Sequence, residues 1–123
     1  MTPGLALAVA LGAAVGAPLR FLVERWFLRV AGDRWPWGTV VVNLVGSLVL
    51  GVVAGLAVRG GASAEVVALV GTGFCGALTT FSGFSAQVLE LSRGGSARGL
   101  IYAGGSLVLG VALAAIGFGL ASG

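Results

Sequence analysis

Charged side chains are scarce in this sequence, and two ionisable residue types are missing altogether. Only 9% of the residues are charged, whereas roughly one-quarter are charged in soluble domains. Lysine and histidine are absent, and there is one cysteine, Cys75. The chain therefore cannot form an internal disulfide, and it lacks the ligands of a zinc site. We expect Cys75 to be a small apolar packing residue.

Four stretches without any charge divide the chain, at residues 1–19, 38–58, 66–89 and 99–123. Each can supply the roughly 20 residues of a membrane-spanning helix. Helices are expected because backbone groups cannot stay unpaired in lipid, whereas a barrel would need short alternating strands. The sequence predicts an all-α integral membrane protein with a single domain, residues 1–123, and helices at about 4–28, 38–58, 65–91 and 99–121. No basic region precedes the first stretch, so we do not expect a cleaved signal peptide.

Almost all of the seven arginines lie at predicted helix ends. Arginines at these positions set the membrane topology and contact lipid headgroups, so we expect no nucleic-acid partner. The first and third connections, about 29–37 and 93–98, must share one side of the membrane. Five arginines lie on that side, and only Arg59 lies on the other. The five arginines on the shared side are Arg25, Arg29, Arg34, Arg93 and Arg98. The positive-inside rule places their side in the cytoplasm. No acidic residue is expected deep in a helix.

Glycine is abundant, with 23 residues. Small residues let membrane helices approach closely. The pairs that indicate such surfaces are Gly12 with Gly16, Gly51 with Gly55, and Gly105 with Gly110. Four helices in 123 residues leave little room to enclose a pathway, so we expect an oligomer.

Polar residues within the predicted helices are costly in lipid and therefore indicate function. Arg20 follows Pro18 inside the first helix. Thr39, Asn43 and Ser47 are four residues apart and share one face of the second helix. An asparagine amide there can donate to an anion.

The last helix carries a short hydroxyl track. Tyr102 and Ser106 are also four residues apart. One and two turns further on come Gly110 and Ala114, so the track is expected to be short.

The stretch GTGFCGALTTFSGFS, residues 71–85, is the most unusual part of the third helix. Its glycines and β-branched residues weaken a helix, and we predict a break near residues 76–80. Freed carbonyls at the break could bind a cation. Phe81 and Phe84 share a face, and their electropositive ring edges suit an anion. Ser82 adds a hydroxyl.

Together these groups are neutral donors and ring edges, with one arginine and nothing suited to proton coupling. Nothing resembles a nucleophile with its base, so no enzyme is expected. A passive path for a small anion fits these residues best.

The sequence resembles the Fluc (CrcB) family of fluoride channels over essentially its whole length. The resemblance rests on GALTTFSGFS at 76–85, GAPLR at 16–20, and Gly38-Thr39 with Asn43 and Gly46. It implies a bacterial channel in the cytoplasmic membrane that exports fluoride and lowers its toxicity. It also implies an antiparallel dimer with two pores and a Na⁺ ion at the interface.

The resemblance implies a role for each matching residue. The predicted fluoride pore residues are Phe81, Phe84, Asn43, Ser82, Thr39, Tyr102 and Ser106. Arg20 resembles the arginine of the aqueous vestibule, and the backbone carbonyls of Gly76 and Thr79 correspond to the Na⁺ ligands.

Two questions about partners and function stay open. The strong arginine bias favours one membrane orientation, so the dimer partner is either a second copy or an oppositely oriented paralogue. The alternative functions are a small multidrug exporter of similar architecture and a non-transporting assembly subunit. Residues 1–19 lack the embedded glutamate that such exporters need.

Overall fold

Four long helices make up most of the described part of the chain. The computed structural model describes residues 2–123. The helices are α1 (Pro3–Ala31), α2 (Trp37–Val58), α3 (Ala64–Leu91) and α4 (Arg98–Ser122), and each is apolar and long enough to cross a membrane. The predicted all-α membrane fold is confirmed, and the bounds of α2, α3 and α4 lie within one residue of those predicted.

Helix α1 extends further than predicted. Thr2 caps its start by accepting a hydrogen bond from the N–H of Leu5, and Pro3 occupies the first turn, where no N–H is needed. Pro18 does not end the helix. It continues to Ala31, and Gly32 follows with a φ of 77°, a value that favours glycine. Glu24 therefore lies about two turns inside α1, and the expectation that no acid lies deep in a helix was wrong.

Close backbone contacts join the helices in two pairs, α1 with the start of α3 and α2 with α4. A Cβ on Gly12 would lie 2.0 Å from the carbonyl oxygen of Leu69, and one on Gly51 would lie 2.2 Å from that of Ala114. Glycine is required at both contacts. Gly105 was also predicted to support such packing, but a Cβ built on it would meet nothing within 4 Å in residues 2–123.

Helix α3 is broken, as predicted. Its first arm, residues 64–78, is π-helical over Val67–Cys75 and α-helical on either side, and its second arm is Phe81–Leu91. Between the arms, Thr79 (φ −81°, ψ 157°) and Thr80 (φ −146°, ψ 119°) are extended. The break is thus confined to two residues, and the π-helical turns before it were not predicted.

Helices α1 and α3 end, and α2 and α4 begin, on the same side of the protein. We name this side the arginine-rich end and define it by residues 29–37 and 93–98. There the Arg98 side chain donates a hydrogen bond to the carbonyl oxygen of Arg34. The first and third connections are therefore in contact.

Candidate ion-conducting site

A groove of about 980 Å³ runs between α2, α3 and α4 at the level of the helix break. We name it the polar groove. Its polar lining residues are Asn43, Ser47, Thr72, Thr79, Thr80 and Ser106, and its aromatic ones are Phe81 and Phe84. None of the lining residues in the described part of the chain is charged.

Asn43 connects α2 to the break in α3. Its Oδ1 accepts a hydrogen bond from the backbone N–H of Thr80 at 3.1 Å. Because that N–H can only donate, the amide must turn its oxygen towards Thr80. The two Nδ2 hydrogens then remain available to a ligand in the polar groove.

The two threonines of the break satisfy much of the backbone around it. Thr80 Oγ1 accepts from the N–H of Gly83 at 3.1 Å and so caps the second arm. Thr79 donates both its N–H and its hydroxyl to the carbonyl oxygen of Cys75, each at 2.9 Å. The extended pair is therefore held by local hydrogen bonds as well as by Asn43.

The break also leaves two backbone carbonyl groups without helical partners. In a continuous helix the N–H of Thr80 would bond to the carbonyl oxygen of Gly76, but here it bonds to Asn43. The carbonyl of Thr79 likewise accepts no backbone hydrogen bond within residues 2–123. A Cβ built on Gly76 would meet nothing within 4 Å, so this part of the break is open. The two carbonyls predicted as Na⁺ ligands thus lack helical partners.

Arg20 lies against the first arm of α3. Its Nε donates a hydrogen bond to the carbonyl oxygen of Ala77 at 3.2 Å. A cation at a helix C-terminus interacts favourably with the exposed carbonyls. Arg20 therefore stabilises the end of the first arm, and it does not line the polar groove.

Phe81 and Phe84 lie on one face of the second arm, with ring centres 6.3 Å apart. Phe84 also packs on Tyr102, at a distance of 5.1 Å between ring centres. The Phe81 side chain is 80% exposed in the single chain. An aromatic ring this exposed, beside a polar groove, is suited to contact a partner subunit or a ligand.

Four side chains, one from each helix, form a hydrogen-bond chain near the arginine-rich end. Tyr102 donates to Gln87 Oε1 at 2.9 Å, and Gln87 Nε2 donates to Thr39 Oγ1 at 2.9 Å. Thr39 in turn donates to Glu24 Oε1 at 3.1 Å. Thr39 and Tyr102 are each only 1% exposed. This hydrogen-bond chain fixes the relative positions of all four helices at this end.

Sequence reasoning missed two members of this chain, Glu24 and Gln87. Asn43 and Gln87 are the only amide side chains in the sequence, and both lie in uncharged stretches. That shared feature could have identified Gln87. Glu24 gave no such signal, because it lies near the predicted end of the first helix and its partner Thr39 is on another helix.

The predicted pore residues lie at three different places. The polar groove brings together Asn43, Phe81, Phe84 and Ser106. Thr39 and Tyr102 lie instead in the hydrogen-bond chain, and the Tyr102 hydroxyl is already used as a donor to Gln87. Ser82 Oγ is 3.4 Å from Thr80 Oγ1 at the exposed start of the second arm. The pore roles of these residues stay predictions.

Comparison with known proteins identifies the family. The profile described as CrcB-like protein, Camphor Resistance (CrcB), matches residues 7–118. The chain belongs to the CrcB family. A relative from Rhizobium etli, named fluoride-specific ion channel FluC, is 47% identical over 118 residues, which cover 94% of this chain and 93% of the relative.

Two further CrcB-family relatives come from other bacteria. A protein from Frankia casuarinae named fluoride-specific ion channel FluC 1 is 48% identical over 121 residues, covering 88% of this chain and 94% of the relative. One from Novosphingobium aromaticivorans, named fluoride-specific ion channel FluC, is 42% identical over 106 residues, with 84% of each chain covered. This chain is thus a multi-pass bacterial membrane protein.

Proposed function

We propose that this chain is the subunit of a fluoride-selective channel through which fluoride leaves the bacterial cytoplasm passively. The observation that carries the proposal is the Asn43–Thr80 hydrogen bond, because it engages the amide oxygen and leaves the N–H donors of Asn43 to the uncharged groove that it lines with Phe81 and Phe84. Fluoride is small and strongly hydrated, so it requires donors in place of water. As an ion channel, the protein carries out no chemical reaction.

The second part of the proposal is that two subunits, antiparallel to each other, cover the polar groove between them. The groove is too open to conduct within one subunit. Around it, a Cβ built on Gly104 or Gly105 would meet nothing within 4 Å in residues 2–123, and Phe81 is exposed. A partner placed there would bury both features. The partner is a second copy or an oppositely oriented paralogue.

The third part is a structural Na⁺ ion at the subunit interface. The Gly76 and Thr79 carbonyls lack helical partners and lie at the polar groove. Carbonyls at a helix break suit a monovalent cation. One chain supplies only these two oxygens, so a second subunit would have to complete the ligand set.

The two alternatives are weaker. A proton-driven multidrug exporter needs a carboxylate in its binding site, and no acidic side chain lines the groove in the described part of the chain. A purely structural subunit would not need Asn43 to accept the Thr80 N–H and so leave the Gly76 carbonyl without its helical partner. Family membership also favours the channel, since the relatives are named as fluoride-specific ion channels.

The test is anion efflux from liposomes that contain the purified chain, with fluoride compared against chloride. Rapid fluoride efflux without chloride efflux is the expected result. Equal efflux of the two ions would contradict the selectivity, and absence of efflux even with an oppositely oriented paralogue would contradict the channel itself.

A further inference from the structure

An arginine and a tryptophan are held together at the arginine-rich end. The Arg98 guanidinium carbon lies 5.8 Å from the centre of the Trp35 ring, within the range of a cation–π interaction. The same guanidinium donates to the carbonyl oxygen of Arg34. Arg98 is exposed, but these two contacts fix its position.

Trp35 is the first of four rings that lead from this arginine to the polar groove. Trp35 packs edge to face on Tyr102, with ring centres 5.7 Å apart. Tyr102 packs on Phe84 at 5.1 Å, and Phe84 on Phe81 at 6.3 Å. We name these four rings the aromatic track. It links an exposed cation to the two rings that line the groove.

The charge of Arg98 is not neutralised by an ion pair. Within residues 2–123 one salt bridge is formed, between Arg93 and Glu90 at 3.2 Å. Arg93 is thus paired, whereas Arg98, five residues later, is free to attract an anion. Because Arg93 and Arg98 lie on the same connection, substitutions at the two positions can be compared directly.

A negative charge lies near the same end of the protein and opposes anion entry. Glu24 and Trp35 both line a small cavity of about 90 Å³. The Glu24 carboxylate accepts a hydrogen bond from Thr39 but meets no arginine within salt-bridge distance in the described residues. A cation at the start of the aromatic track would offset this field for an approaching anion.

We propose that Arg98 and Trp35 form the mouth of the fluoride path at the arginine-rich end. Arg98 raises the local fluoride concentration through its charge, and Trp35 positions the guanidinium at the start of the aromatic track. This inference rests on the proposed fluoride channel. In an antiparallel dimer, each membrane face would present one such mouth.

The test compares Arg98→Gln with Arg93→Gln by fluoride current in planar bilayers. Fluoride is kept constant, and sodium gluconate sets the ionic strength to about 0.01 M or about 0.15 M, where the Debye length is about 30 Å or about 8 Å. At low ionic strength Arg98→Gln should lower the current about threefold or more, and at high ionic strength by less than about twofold. Arg93→Gln removes the same charge but not the guanidinium that lies over Trp35, so at low ionic strength it should lower the current less than Arg98→Gln does.

Further variants separate charge from structure. Arg98→Lys keeps the charge and should retain the salt dependence of the unmodified protein. Trp35→Leu removes the ring on which the guanidinium lies, so part of the current that Arg98 supports at low ionic strength should be lost. Trp35→Phe keeps an aromatic ring there and should restore that current. Size-exclusion chromatography checks that each variant remains assembled.

The inference is wrong if Arg98→Gln and Arg93→Gln carry equal currents at low ionic strength, or if the Arg98→Gln loss does not change with salt. Either result, with a normal fluoride current in the unmodified channel, leaves the proposed function intact. A protein that carries no fluoride current under any condition would overturn the proposed function, and this inference with it.

Discussion

Asn43 is the residue at which structure and proposed conduction can be separated by one substitution. Asn43→Asp keeps an oxygen that can accept from the Thr80 N–H but replaces both N–H donors with a negative charge. Repulsion of an anion about 4 Å away amounts to several kcal/mol even at an effective dielectric constant near 20, so the fluoride current should fall by at least about tenfold.

The control for Asn43→Asp adds the same charge away from the groove. Ser63 caps the start of α3 by accepting from the N–H of Val66 at 3.2 Å, and aspartate can also cap a helix. Ser63→Asp should therefore conduct normally. A current through Asn43→Asp equal to that through Ser63→Asp would show that Asn43 does not contact the anion.

Individual residues were predictable where their type is unusual for a membrane helix. Asn43, Phe81 and Phe84 were selected for their chemistry, and they share the polar groove. Tyr102 was placed on a face with Ser106, yet its hydroxyl is bonded to Gln87. Spacing along one helix cannot show which neighbouring helix supplies the partner, and this is why Gln87 and Glu24 were missed.

At the scale of the element, the hydroxyl of Thr80 should contribute measurably to the second arm of α3. Thr80→Val keeps the side-chain shape but removes the oxygen that accepts from Gly83 N–H. Loss of an N-cap costs about 0.5–2 kcal/mol, so the melting temperature in detergent, followed by tryptophan fluorescence, should fall. Thr80→Ser should melt like the unmodified protein. An unchanged melting temperature for Thr80→Val would indicate that the Asn43 bond and the Thr79 bonds to Cys75 hold the break without the Thr80 cap.

A second element-scale prediction concerns the contact between α2 and α4. In Gly51→Ala the new Cβ would lie 2.2 Å from the carbonyl oxygen of Ala114, so the helices must separate. Overpacking of this kind costs roughly 1–3 kcal/mol, which should lower the melting temperature. In Gly119→Ala, also on α4, the new Cβ would meet nothing within 4 Å, so no such effect is expected. Equal stability of the two variants would mean that α2 and α4 separate without cost.

The helices and the broken segment could be predicted because hydrophobic length and weak helix formers act locally. The extended conformation of Thr79 and Thr80 follows the expected break. The π-helical turns over Val67–Cys75 could not be predicted from composition. Within them Gly73 packs so closely against Val9 of α1 that a Cβ on it would clash with the Val9 carbonyl oxygen. Which glycines pack within the chain, such as Gly51, and which remain open, such as Gly105, depends on the same tertiary contacts.

At the scale of the whole molecule, the arginine distribution predicts a single membrane orientation. In a Cys75→Ser background, Gly61→Cys places a thiol in the second connection and Ala97→Cys places one in the third. With five arginines on one side and one on the other, an impermeant maleimide added to intact cells should label Gly61→Cys and not Ala97→Cys. After permeabilisation both should react. Equal labelling of the two variants in intact cells would mean that the chain inserts in both orientations.

The labelling result also determines how the liposome experiment is interpreted. A chain with one orientation cannot form an antiparallel dimer with itself in the cell, so it should need an oppositely oriented paralogue to conduct there. Purified protein that conducts fluoride alone, together with labelling from both faces, would establish the homodimer. A chain that inserts both ways and still carries no fluoride would contradict the channel proposal, because no missing partner could then explain the absence of current.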